Sequence, residues 1–137
     1  MWRFLVIASV FIFLTSCNNQ NNSKRDTDKT YKKGSPPVMH LENKNADFGE
    51  VKQGEKVVLF YTFENAGGRD LIIFEAIPSC GCVTLKYDST PIQPGTKRTV
   101  EVTFDSDGWS GVQQKSITFK TNGVPDYASV TLTGTVN

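Results

Sequence analysis

Lys56–Asn65 reads KVVLFYTFEN. β-branched and aromatic residues dominate it, and such residues fit a pleated, half-buried surface. It is apolar on both parities: Val57, Leu59, Tyr61 and Phe63 on one, Val58 and Phe60 on the other. Working outward, Asp70–Ile77 (DLIIFEAI) repeats the pattern with Ile72, Phe74 and Ala76. Thr99–Phe104 alternates, with Val100, Val102 and Phe104 on one side and Thr99, Glu101 and Thr103 on the other. Ser116–Thr121 alternates through Ile117 and Phe119, and Ala128–Val136 through Val130, Leu132, Gly134 and Val136. Shorter strands are expected near Leu41–Phe48 and Val83–Tyr87. Turn residues separate these runs: Asn65-Ala66-Gly67-Gly68, Gln93-Pro94-Gly95, Asp107-Gly108, Asn122-Gly123 and Pro125-Asp126. About seven short strands at such intervals predict an all-β fold, an antiparallel β-sandwich of immunoglobulin type.

The expected core is Leu71, Ile73, Val100, Phe104, Phe119 and Leu132, packed with the Tyr61/Phe63 face. A sandwich buries only one face of each strand, so the two-sided strands predict an uncovered apolar patch involving Phe60 and Phe74. Either the chain before Phe48 or a partner protein is expected to cover it.

The chain has 137 residues, a length that suits one domain. The first sixteen read as an address. Arg3 precedes Phe4–Leu14 (FLVIASVFIFL), an uncharged run whose helix would rise only about 16 Å, too short to span a bilayer but suited to a signal peptide. Asn18–Pro37 (NNQNNSKRDTDKTYKKGSPP) holds one large apolar residue, Tyr31, and cannot bury enough surface to offset ordering entropy. Residues 17–37 are therefore expected to form a tether, and residues 38–137 the folded domain. The tether carries Lys24, Arg25, Lys29, Lys32 and Lys33 against Asp26 and Asp28, or +3. With Arg3 gone, 14 basic and 14 acidic residues remain, so the domain carries −3. Nothing in this balance predicts nucleic-acid binding.

Three Cys and one His exclude a zinc site made of four cysteines, or of two cysteines and two histidines. With His40 the sole histidine, a Ser-His-Asp triad has little to build on, and Gly108-Trp109-Ser110-Gly111 lacks the spacing of a nucleophile elbow. The chain is expected not to be an enzyme and to carry no cofactor. Trp109, in a polar loop, is a candidate for a contact surface, because Trp is enriched at binding hot spots. It could equally fold back as a lid on the sandwich.

Cys80-Gly81-Cys82 follows an apolar strand at a corner marked by Pro78. Extended residues two apart span ~6.6 Å, near the upper end for a disulfide. A bridge would close a very small loop and stabilise the domain little. Three readings follow from the residues: a local pair that shapes the corner, a dithiol–disulfide redox site, or a Cu(I) site completed by Met39 and His40.

Leu14-Thr15-Ser16-Cys17 resembles the bacterial lipobox. That resemblance implies signal cleavage before Cys17 and acylation of Cys17 by palmitate-type chains, a stable membrane anchor when two or three chains are buried. Further along, Asp47-Phe48-Gly49-Glu50-Val51, Gly54-Glu55, Phe63-x-Asn65-x-Gly67, Leu71-x-Ile73, Pro78-Ser79-Cys80-Gly81-Cys82, Ile92-x-Pro94-Gly95 and Thr121-Asn122 occur in that order. The set, spanning roughly Glu42–Val136, resembles the bacterial domain-of-unknown-function family 1573. The resemblance implies an immunoglobulin-like module of the ASH and major-sperm-protein type, often exported or lipid-anchored. The family often has Thr directly after the second Cys; here Val83 intervenes before Thr84. The expected protein is thus a bacterial envelope lipoprotein, lipid-anchored to a membrane (the outer membrane if the cell is Gram-negative), with its domain outside the cytoplasm. Its domain is expected to act as a non-catalytic binding or assembly module for another envelope protein. The alternative is a periplasmic thiol protein, redox or Cu(I)-handling, using Cys80 and Cys82.

Overall fold

The computed structural model describes residues 32–137. The signal segment, Cys17 and the tether as far as Tyr31 lie outside the described residues. Eight strands run in chain order: β1 (Met39–Leu41), β2 (Asn45–Val51), β3 (Lys56–Asn65), β4 (Ile73–Pro78), β5 (Val83–Lys86), β6 (Lys97–Asp105), β7 (Gly111–Thr121) and β8 (Tyr127–Val136). They form two four-stranded sheets, β1-β3-β6-β5 and β2-β8-β7-β4. All pairings are antiparallel except β2 with β8, which is parallel. The all-β sandwich expected from the alternating runs is present.

Two boundaries differ from the sequence reading. The single strand expected near Leu41–Phe48 is two strands in different sheets, broken at Glu42–Lys44, which raises the number from about seven to eight. β4 begins at Ile73 rather than Asp70, because Leu71 leaves that sheet to make an isolated bridge with Ile92. The folded unit also reaches back past Val38. Pro37 is buried, and its carbonyl accepts a hydrogen bond from Val124 N at 2.9 Å. The end of the expected tether is therefore part of the domain.

Every residue expected in the core is buried: Tyr61, Phe63, Leu71, Ile73, Val100, Phe104, Phe119 and Leu132 line the space between the sheets. Tyr61 keeps its polar end satisfied there. Its hydroxyl donates to the carbonyl of Thr131 at 2.8 Å, tying the β3 sheet to β8, and burial pushes its pKa up to about 12.

The Asp47-Phe48-Gly49 run acquires a physical reason. Gly49 adopts a left-handed φ of 72°, its N–H donates to Asp47 Oδ1 at 2.8 Å, and the β2–β8 register shifts between Asp47 and Glu50. The bulge turns Phe48 inward, 5.4 Å from the Phe104 ring. Gly134 makes room for it: a Cβ there would lie 2.3 Å from the Phe48 ring.

Asn65 knots the opposite end. It is fully buried. Its Oδ1 accepts from Gly67 N at 3.0 Å and Val38 N at 3.4 Å, while its Nδ2 donates to the carbonyls of Arg69 and Ile92, both at 2.8 Å. One amide thus joins the entry of β1, the loop after β3 and the Leu71–Ile92 bridge. Gly67 is required beside it, since a Cβ would sit 2.2 Å from the Pro36 carbonyl oxygen. Asn65→Ala leaves four backbone groups in search of partners, and is expected to cost on the order of 3 kcal/mol in urea unfolding.

Candidate functional site

Two places on the described domain hold side chains that the fold does not use up. The first is the β4–β5 corner. There the chain leaves one sheet for the other through Ser79–Cys82. Ser79 N donates to the Ser116 carbonyl at 2.8 Å, and Ser116 N donates to Ser79 Oγ at 3.0 Å, so a side-chain hydroxyl takes the place of a ladder bond just past the last β4–β7 pair. Val83 N then reaches the Cys80 carbonyl at 3.3 Å to close a turn, and Asp105 N donates to the Cys82 carbonyl at 2.9 Å. Cys80 and Cys82 are joined by a disulfide with Cα atoms 5.2 Å apart, inside the ordinary range. Both are half-buried against the core. Of the three sequence readings, the structure brings the two sulfurs together but does not assemble the copper set. Met39 and His40 pair with Asn65 and Glu64, whereas Val83 lies level with Val57 through Phe104. The two ends are eight residues apart along β3, or ~26 Å. Among the described residues no group of three or more His, Cys, Asp or Glu could hold a metal ion.

Lys115 belongs to this corner, and the sequence reading passed over it. The expected strand began at Ser116, whereas β7 begins at Gly111. Its inward parity therefore runs Gln113, Lys115, Ile117, Phe119, and a lysine occupies a position of core type. Extending the alternation by two residues would have found it. Lys115 is only 9% exposed. Its ammonium sits 3.3 Å from the centroid of the Trp109 ring. Desolvation holds its pKa below the usual lysine value. Trp109 is thus no projecting aromatic. It folds back, half-buried, with its backbone N–H donating to the Ser106 carbonyl at 3.1 Å, and its ring serves as the lid over Lys115.

The second place is the free edge of β3. β1 is three residues long and pairs only with Phe63–Asn65. Below that, Glu42 N donates to the Thr62 carbonyl at 3.1 Å, and among the described residues no strand continues along Lys56–Tyr61 on that side. In an antiparallel strand alternate residues direct both backbone polar groups to one edge. Val58 and Phe60 share the parity of Thr62, so their N–H and C=O groups face this open edge. Their side chains stand on the outer face, 48% and 64% exposed. Phe74 is also exposed, at 61%, but β4 belongs to the other sheet. The expected single patch is therefore two separate features, one on each outer face, and the described chain before Phe48 covers neither.

The fold is a small immunoglobulin-like β-sandwich, similar to ASH/PapD-like domains. The seventh PapD-like (ASH) domain of human CEP192 is similar, with a TM-score of 0.61 and 14% identity, covering 84% of this chain and 96% of that one. A protein of unknown function from Porphyromonas gingivalis W83 superposes with a TM-score of 0.65 and 19% identity, covering 77% of this chain; this chain spans 50% of its length. The VesB protease of Vibrio cholerae is similar at a TM-score of 0.57 and 15% identity over 72% of this chain, which spans 31% of VesB. At these identities the likeness concerns the fold alone. No curated protein matches the sequence. The chain belongs to the DUF1573 family, described as "protein of unknown function", whose pattern it matches over residues 39–136.

Among the described residues, the contact that offsets burial of the Lys115 ammonium is the Trp109 face. Lys115→Met keeps the packing and removes the charge, and is expected to unfold at higher urea concentration than the parent at pH 7. A lysine with a lowered folded-state pKa destabilises the fold while it is charged, and that penalty fades as pH rises from the lowered pKa toward 10.5. The advantage of Lys115→Met should shrink over that window in urea titrations run at successive pH values.

Proposed function

We propose that this chain is a lipid-anchored envelope protein whose immunoglobulin-like domain binds an extended segment of another envelope protein along the free edge of β3. The single observation that carries this reading is the contrast between that edge and the other sheet edges. Natural sheets blunt their edges with short strands, charges, prolines and bulges. β5 is four residues long and ends in Lys86. β4 carries a register shift between Ile73 and Glu75 and ends at Pro78. β2 carries the Asp47/Glu50 shift at Gly49. Val58-Leu59-Phe60 has none of these devices, and it presents aligned backbone groups beneath exposed apolar side chains.

An added strand would satisfy the edge groups of Val58 and Phe60 and lay every second side chain over those two residues. That favours a segment with an apolar residue at alternate positions. The surrounding outer face is neutral overall: Thr62 and Thr99 hydroxyls pair at 3.2 Å, Lys56 pairs with Asp105 at 3.2 Å, and Lys86 with Glu101 at 3.6 Å. Charge steering is therefore a small part of the recognition.

The anchoring half of the proposal rests on the short uncharged run Phe4–Leu14 and its lipobox-like end at Cys17. The Cys80–Cys82 disulfide supports an extracytoplasmic location, because such bonds persist in oxidising compartments. The acyl chains would hold the domain near a membrane, within the reach of a basic tether.

Two variants test the two halves separately. Cys17→Ser should move the protein from the membrane pellet to the soluble fraction; unaltered sedimentation contradicts the anchor. For the edge, a photo-crosslinking residue at Phe60 should trap a partner through an extended segment in the native envelope, and one at Phe74 should not. Val58→Lys/Phe60→Lys should keep the unfolding midpoint and abolish partner retention. Equal retention by that variant sinks the edge reading, as does a crosslink from Phe60 to residues 18–31 of the same chain.

A further inference from the structure

We propose that the Cys80–Cys82 corner is a thiol–disulfide exchange site for protein dithiols and disulfides, with Lys115 set to stabilise the leaving thiolate. This goes beyond the binding role and uses a different part of the domain, the end of the sheet edge formed by β5.

The bond holds nothing that other contacts do not already hold. It closes a loop of three residues, the least favourable case for stabilisation through chain entropy. The chain at the corner is already fixed by the Ser79–Ser116 hydrogen bonds, the Val83–Cys80 turn bond and the Asp105–Cys82 bond. A disulfide with so little structural work is free for chemistry.

Gly81 points the same way. A Cβ at Gly81 would meet nothing within 4 Å, and its φ is outside the left-handed region. Neither space nor backbone conformation demands glycine there, in contrast to Gly67 and Gly134, where a Cβ would collide with a neighbour. Gly81 is exposed between the two cysteines, and its missing side chain leaves the approach to the sulfurs open.

Lys115 is the third observation. Ser79 is hydrogen-bonded to Ser116, so Cys80 and Lys115 are the chain neighbours of that contact on their two strands' ends. Lys115 is buried and inward, with Trp109 capping one side of the ammonium. A cation in such a place favours a nearby thiolate over a thiol.

The steps follow from this order. A partner thiolate attacks Cys82 Sγ, the Cys80–Cys82 bond breaks, and a mixed disulfide with Cys82 forms while Cys80 leaves as a thiolate beside Lys115. The partner's second thiol loses its proton and its sulfur attacks the partner's first sulfur in the mixed disulfide, forming the partner's disulfide and releasing Cys82 as a thiolate. The partner dithiol is oxidised to a disulfide, and the two cysteines take up two electrons and two protons. The reverse sequence reduces a partner disulfide.

The test uses the full chain in detergent, with reduced and oxidised glutathione, dithiothreitol and a thioredoxin-type dithiol protein as probes, read by alkylation and mass of the Cys80–Cys82 peptide. The folded protein should reach equilibrium with millimolar glutathione within minutes. Lys115→Met should slow reduction by dithiothreitol at least threefold at pH 7, with the difference fading as pH rises through the lysine's lowered pKa and its charge is lost. Lys115→Arg should restore the rate, which a purely structural role would not require. Gly81→Val should slow the dithiol protein more than dithiothreitol. The proposal is overturned if the pair resists glutathione until the domain unfolds, or if Lys115→Met reacts at the parental rate at every pH. Should Lys115→Met fail to fold, Gly81→Val decides: equal rates with both probes contradict the open approach.

Discussion

The side-chain amide of Asn65 is the constraint on which the rest of this domain depends. It lies where the polypeptide makes most of its difficult connections: the start of β1, the Ala66–Asp70 loop and the Ile92–Thr96 turn all converge on it. Backbone groups buried at such a junction must find partners. A side chain with two acceptor sites and two donors, held at the end of a long central strand, supplies four of them at once. Its own backbone adds two more, from Asn65 N to the Thr96 carbonyl and from Gly95 N to the Asn65 carbonyl. With that end closed, the register of β3 against β6 is fixed, and every inward residue down to Val57 falls on the core.

Fixing β3 in this way has a consequence at its other end. The short β1 is held at the Asn65 end by Val38 and Met39 and runs out at Leu41. The chain then crosses to the second sheet as β2, leaving Val58 and Phe60 with an uncovered edge. The same crossing builds the Phe48–Gly134 interlock that closes the far end of the sandwich. The open edge is therefore the geometric result of sending one short segment to two sheets. The corner at Cys80–Cys82 arises from the other crossing, β4 to β5, and is held by hydrogen bonds before the disulfide is considered. The open edge of β3 and the Cys80–Cys82 corner lie on opposite edges of one sheet, with β6 between them.

Much of this was legible in the sequence. Alternation through Val100, Val102 and Phe104, or Val130, Leu132 and Val136, gives strand type and burial directly, because a side-chain period of two leaves no other way to hide those residues. The exposure of Phe60 and Phe74 was also legible from strands apolar on both parities. Their separation onto two sheets was not, since pairing order is a long-range property that no local pattern carries. The break between β1 and β2 was hidden for the same reason. Lys115 was missed because a charged residue inside an alternating run looks like the end of a strand. Pro36 and Pro37 looked like linker, and their close docking against Gly67 and Val124 is a long-range contact that no local pattern carries. The nearness of Cys80 and Cys82 was a matter of spacing, but their distance from Met39 and His40 required the register of three strands.

The central claim is that β3 has one bonded edge and one open edge along Lys56–Tyr61. Residue-resolved amide hydrogen exchange on the full chain tests it most directly. Leu59 and Tyr61, whose amides face β6, are expected to be strongly protected, while Val58 and Phe60 exchange close to the rate of an unstructured chain. An alternation of fast and slow amides along one strand supports the account. Protection of Val58 and Phe60 equal to that of their neighbours contradicts it, because the edge would then be covered by the protein itself.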